Sequence, residues 1–123
     1  SPIKQFGDGG TGRDYTYVED IVRGICSALE RPLEAKEGAG AFDIFNLGNS
    51  RVVLLRDLIA AIEEETGRKA IIELHDEQPG DVPHTCASVA KSKRYLGYEP
   101  TVDLETGLRR FHEWYMSLTV PQQ

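Results

Sequence analysis

Cysteine is scarce in this chain, basic residues are outnumbered by acidic ones, and no long apolar run occurs along it. The two cysteines, Cys26 and Cys86, have neither C-x-x-C spacing nor a paired ligand pattern, which argues against a structural zinc site. Cys26 lies in an apolar helical run and reads as a small core residue. Lysine and arginine total 14 against 20 aspartates and glutamates, and a net charge of −6 argues against nucleic acid held on a broad basic face. No segment has the apolar length that spans a bilayer, and the opening residues, SPIKQF, lack signal-peptide character. A cytoplasmic protein with no membrane partner is therefore expected. The three histidines, His75, His84 and His112, share no spacing that suggests a metal site or catalysis, and there is no internal repeat or low-complexity segment.

What is present fits one domain over residues 1–123: the length is typical of a single core, and 40% hydrophobic with 28% charged residues is ordinary for a globular chain. Val18, Ile21, Val22, Ile25 and Leu29 recur at helical period and stop before Pro32; Thr16 and Glu19 have the spacing of a capping box, so this helix is predicted to start near Tyr17. A Gly- and Ala-rich loop, 34–41, follows. FDIFNL at 42–47 reads as a short buried strand closed by Gly48, Asn49 and Ser50. Leu55, Leu58, Ile59 and Ile62 mark a second helix that stops at Gly67 and lacks a capping residue; 70–74 reads as a strand and 75–85 as a loop carrying QPGDVP. Ser88 is expected to cap a brief helix through Leu96, with Gly97 left-handed after it. Asp103 opens a last helix, predicted to turn Leu104, Leu108, Phe111, Tyr115 and Leu118 inward, with Trp114 and Tyr115 packing it.

The run Gly7-Asp8-Gly9-Gly10-Thr11-Gly12 satisfies the G-x-G-x-x-G spacing of a dinucleotide loop. Such a loop functions where an apolar strand leads directly into a helix whose amino end receives the pyrophosphate. Here the strand before it carries Lys4 and Gln5, the helix signal comes only after Arg13-Asp14-Tyr15-Thr16, and no second strand of the right kind delivers an acidic residue at the ribose distance. The spacing is read as coincidental, the glycines serving a turn between a strand at 3–6 and an extended segment at 13–15.

With FGDGGTGRDYTYVEDIVRGI, FDIFNLGNS, QPGDVP and LGYEP in this order, the chain resembles the carboxy-terminal, substrate-binding part of an extended short-chain dehydrogenase/reductase. Within that superfamily it is most similar to nucleotide-sugar 4-epimerases of the UDP-glucuronate type, and the likeness runs from Pro2 to about Tyr115. The resemblance implies a mixed α/β (α+β) fold: helices packed on a few short strands, with the Rossmann core absent. It also implies an enzyme whose other, amino-terminal half binds NAD and carries a Tyr-x-x-x-Lys pair. No tyrosine of this chain is followed four residues later by lysine. No catalytic residue and no bound cofactor are therefore expected in this chain; NAD belongs to the complete parent, where oxidation and re-reduction at C4 of a UDP-sugar would take place.

For the site, the resemblance points to Arg13 as the group facing the diphosphate, its planar guanidinium suited to paired phosphate oxygens; a surface ion pair with Asp14 or Asp20 is the alternative. Asp81, in the turn shaped by Pro79 and Gly80, would accept from ribose hydroxyls, or simply stabilise its own turn. Gln78 stands where many relatives have arginine, which removes a second phosphate partner. Asn46 would present its amide to ligand or stabilise the strand end, and Tyr15, with Tyr17, would line the pocket or pack in the core. Two further functions stay open: part of a nucleotide-sugar 4,6-dehydratase, or a non-catalytic binding module. If the NAD-binding half is missing, apolar surface on the first helix and on strand 42–47 loses its cover, and the isolated chain is expected to self-associate.

Overall fold

Strands Ile3–Phe6 (β1) and Ile72–His75 (β4) pair in parallel, Ile3 opposite Ile72, and strands Gly12–Asp14 (β2) and Val52–Leu54 (β3) pair antiparallel, Gly12 opposite Leu54. The computed structural model describes residues 1–31 and 42–119; the expected loop at 34–41 lies outside them. Four helices complete the described residues: α1 (Val18–Glu30), α2 (Leu55–Thr66), α3 (Ala90–Leu96) and α4 (Leu104–Thr119). The result is the expected mixed α/β arrangement, with strands too few and too short for a doubly wound sheet.

Helix ends show where local rules hold and where distant groups replace them. Gly67 and Gly97 follow α2 and α3 in the left-handed conformation, at φ 66° and 63°, where a side chain would be strained. Asp103 caps α4, accepting the Thr106 amide at 2.8 Å. The capping box of α1 does not form: Tyr17 occupies the N-cap without a side-chain bond, Thr16 donates to Asp14 and Glu19 pairs with Arg110 of α4. Ser88 likewise caps nothing; Val89 is the N-cap of α3. The uncapped start of α2 is satisfied by the glycine loop, whose Thr11 and Gly9 carbonyls accept the Leu55 and Arg56 amides at 2.8 and 3.1 Å. Gly9 reaches this position at φ 80°.

The core is small and lies between α1, α3 and the segment joining α3 to α4. Among the described hydrophobic side chains only Tyr98 and Val102 are buried, together with the polar Gln5, Asp20 and Ser92. Gly24 on α1 lets the helix press against Leu47 and Tyr98; a Cβ there would lie 2.6 Å from Leu47 Cδ2 and 2.9 Å from Tyr98 Cδ2. Asp20, fully buried, accepts the Val102 amide at 3.0 Å and the Thr101 amide at 3.2 Å and pairs with Arg23, clipping the first turn of α1 to that segment. α2 packs against α4.

Several expectations of burial are overturned. Residues 42–47 form no strand among the described residues; Phe42 is 83% exposed, and the backbone is held by side chains, Lys91 on the Ile44 carbonyl and Ser92 on that of Asn46. Cys26 is exposed, because α1 turns its apolar stripe outward: Val18, Val22, Ile25 and Leu29 are all exposed, Leu29 to 81%. On α4, Leu104 and Leu108 are half-buried, but Phe111, Trp114, Tyr115 and Leu118 are exposed, since α2 covers only the amino-terminal part of that face.

Candidate functional site

Adjacent residues of a strand point to opposite faces. On β2 this sends Arg13 and Asp14 in different directions, and each gathers a different loop. β2 is short but held on both edges: β3 on one, and the segment 83–87 on the other, where the Gly12 amide donates to the Pro83 carbonyl at 2.7 Å and the Thr85 amide to Gly12 at 3.1 Å. Gly12 is required for that approach, since a Cβ would lie 2.6 Å from His84 Nδ1 and against Val52.

Arg13 reaches the QPGDVP loop. Nη1 donates to the carbonyls of Val82 at 2.8 Å and Pro83 at 3.4 Å and to that of Gly12, and Nη2 donates to Asp81 Oδ1 at 2.7 Å. The side chains are 32% and 47% exposed, so the pair faces solvent and is open to a ligand. The ion pair considered as the alternative, with Asp14 or Asp20, does not form, and Arg13 pairs with a residue 68 positions away. Asp81 sits in a tight turn in which its amide donates to the Gln78 carbonyl at 3.2 Å, with Gly80 at φ 89°. Gln78 is exposed beside it.

Asp14 collects amides on the other face: Asn49 at 2.8 Å and Ser50 at 2.9 Å from the loop after residue 47, and Ala87 at 3.2 Å. Among the described residues Ser50 is the one non-glycine residue at positive φ, 53°, and its hydroxyl donates to the Ala87 carbonyl. Beneath this loop the Tyr98 hydroxyl donates to the Gly48 carbonyl at 2.9 Å; burial, reinforced by the Asp20 charge, pushes its pKa up and keeps it neutral. Asn46 lies here, its amide donating to the Ser88 carbonyl at 3.3 Å, and with Asp14, Gly48, Thr85 and Cys86 it borders a polar hollow of about 350 Å³. Tyr15 is elsewhere, lining with Tyr17, Leu58 and Leu104 a smaller hollow of about 190 Å³.

The structure thus brings Arg13 and Asp81 together, with Gln78 at the start of the same turn, and places Asn46 and Tyr15 in two other hollows. Sequence reasoning missed Asp14 and Asp20 as organisers, having read both only as partners for Arg13. Their signal was faint: short carboxylates flanking a helix start, with all their main-chain donors far along the chain. Among the described residues no group of three or more His, Cys, Asp and Glu has the arrangement to hold a metal ion. The glycine loop leads into β2 rather than into a helix and turns carbonyls toward α2, so these residues do not fit a dinucleotide pyrophosphate.

The family model described as GDP-mannose 4,6 dehydratase matches residues 1–111. The chain is 38% identical over 118 residues to UDP-glucuronate 4-epimerase 4 of Arabidopsis thaliana, covering 89% of this chain and 26% of that protein. It is 37% identical to the UDP-glucuronate 4-epimerase of Thermodesulfobacterium geofontis, covering 92% and 33%. Among solved structures it superposes with a TM-score of 0.80 and 31% identity on the UDP-glucuronic acid 4-epimerase of Bacillus cereus in complex with UDP-glucuronic acid and NAD, over 95% of this chain and 36% of that one. The Thermotoga maritima UDP-glucose 4-epimerase with UDP-glucose gives a TM-score of 0.81 at 31% identity, over 97% and 36%. The chain therefore spans a quarter to about a third of the length of these relatives.

Proposed function

Since the chain belongs to the GDP-mannose 4,6 dehydratase family of extended short-chain dehydrogenase/reductases, we propose that it is the nucleotide-sugar-binding portion of an NAD-dependent 4-epimerase acting on UDP-glucuronate or a related UDP-hexose. The observation that carries this reading is the meeting of Arg13 and Asp81 at 2.7 Å on an exposed face. The guanidinium keeps donors beyond those given to the loop carbonyls and is suited to the diphosphate; the Asp81 carboxylate, freed in part as the phosphate draws on Arg13, accepts from ribose hydroxyls. Gln78 borders the same loop, Asn46 flanks the neighbouring hollow, and Tyr15 lines the pocket beyond. This chain's part in the reaction is to hold the nucleotide while the sugar is free to turn. The hydride chemistry that NAD supplies belongs to a portion with its own dinucleotide site. The description of the family model supports a second reading, a 4,6-dehydratase with the same nucleotide anchor.

Calorimetric titration with UDP tests the anchor. Wild type binds weakly, and Arg13→Ala weakens binding about tenfold or more, the loss of a charge-assisted contact. Equal affinities for the two proteins would remove Arg13 from the phosphate site.

A further inference from the structure

We infer that Asp14 is the positioning residue for the Arg13–Asp81 pair, setting the register of the segment that carries Asp81; this rests on the nucleotide-anchor reading above. A regular parallel ladder along β2 begins with Gly12 amide to Pro83 carbonyl and Thr85 amide to Gly12 carbonyl, and would continue with the Asp14 amide to the Thr85 carbonyl and the Ala87 amide to the Asp14 carbonyl, neither of which forms here. The Ala87 amide goes to the Asp14 carboxylate instead, at 3.2 Å. The same carboxylate fixes the Asn49 and Ser50 amides, and Gly48 leaves no room for displacement, since a Cβ there would be 2.8 Å from both Asp14 Oδ2 and the Ala87 Cβ. The third rung is thus a charged side chain locked by a second loop. Asp81 and Val82 lie directly before the first rung, so anchoring the third decides whether Asp81 stands opposite Arg13. Freed of it, segment 83–87 keeps two backbone bonds to β2 and the Ser50 hydroxyl on the Ala87 carbonyl but loses its charged anchor, and the Asp81 turn spends part of its time away from the guanidinium.

Asp14→Asn tests this, because it keeps the volume but turns an NH2 donor toward amides that are donors themselves. UDP is titrated calorimetrically against wild type, D14N, R13A and the R13A/D14N double variant. D14N is expected to lose affinity about tenfold when Arg13 is present and almost nothing in the R13A background, since both act through one contact. Equal losses in both backgrounds, or unchanged affinity in D14N, would overturn the inference. If wild type itself does not bind UDP, the nucleotide reading fails, and the inference is judged without ligand by NMR. In that case D14N must speed exchange of the Thr85 and Ala87 amides and shift the Arg13 Nε signal toward that of D81A. An unmoved Nε signal would overturn it. Should D14N not fold, Ala87→Pro removes only the Ala87 amide from the Asp14 carboxylate and leaves its charge, and the UDP titrations, the exchange of the Thr85 amide and the Arg13 Nε signal are read in the same way.

Discussion

Removing the Asp20 carboxylate should cost this chain a large part of its stability. The group is fully buried and serves two backbone amides, Thr101 and Val102, with the Thr101 hydroxyl at 3.3 Å and Arg23 beside it. Each charge-assisted bond is worth about 1.5–3 kcal/mol, and each buried amide left unpaired costs about 1–3 kcal/mol. These overlap, and taking one partner from a buried charged cluster typically costs about 3–5 kcal/mol, the loss expected for Asp20→Ala. A chain of this length has roughly 6–18 kcal/mol in all. With only Tyr98 and Val102 as buried apolar side chains among the described residues, the lower end applies, and the variant should lose about half its stability. Urea denaturation at fixed protein concentration measures this as a fall in midpoint at constant slope. Asp20→Asn keeps one acceptor and should fall between. Arg23→Ala, whose side chain is mostly exposed, should cost less than about 1 kcal/mol. A loss below about 1 kcal/mol for Asp20→Ala would refute the claim that this carboxylate, rather than apolar packing, ties α1 to the 101–102 segment.

Hydrogen bonds from Lys91 and then Arg31 hold the Asp43 carboxyl at about 2, below its usual 3.8. A carboxyl depressed on folding contributes stability that is present above 3.8 and is lost as pH falls through about 2. Asp43→Asn should flatten the stability curve across that window and leave its shape near neutrality alone; an unchanged acid limb in urea titrations at several pH values would count against the pairing. The outward stripe of Val18, Val22, Ile25 and Leu29 should drive the isolated chain to self-associate at micromolar concentration, and Val22→Glu should shift it toward monomer. A strictly monomeric sedimentation profile for the wild type would contradict this.

Period and punctuation carried most of the fold: four helices, their glycine stops at Gly67 and Gly97 and the Asp103 cap are local features, written in neighbouring residues. What escaped was set by distance. Thr16 and Glu19 have capping-box spacing, yet Asp14 and the remote Arg110 offer better partners. FDIFNL has the composition of a buried strand, but no described strand pairs with it, and composition cannot supply a neighbour. The exposed end of α4 is the same failure, an apolar stripe longer than the helix that covers it. At the site, Arg13 and Asp81 were each suggested by motif, while their contact and the two Asp14-bound loops depend on strand register, which no single stretch encodes.

The glycine run that first invites comparison with a phosphate cradle turns the carbonyls of Gly9 and Thr11, and not its amides, toward a helix end. By offering the Gly9 and Thr11 oxygens to the start of α2, it presents acceptors to that helix, while its Gly10 amide is already taken by the Asp8 carboxylate. Spacing rules are blind to this polarity. Which end of the peptide dipole faces inward separates an anion receptor from a cap on a helix start, and one arrangement of glycines serves either.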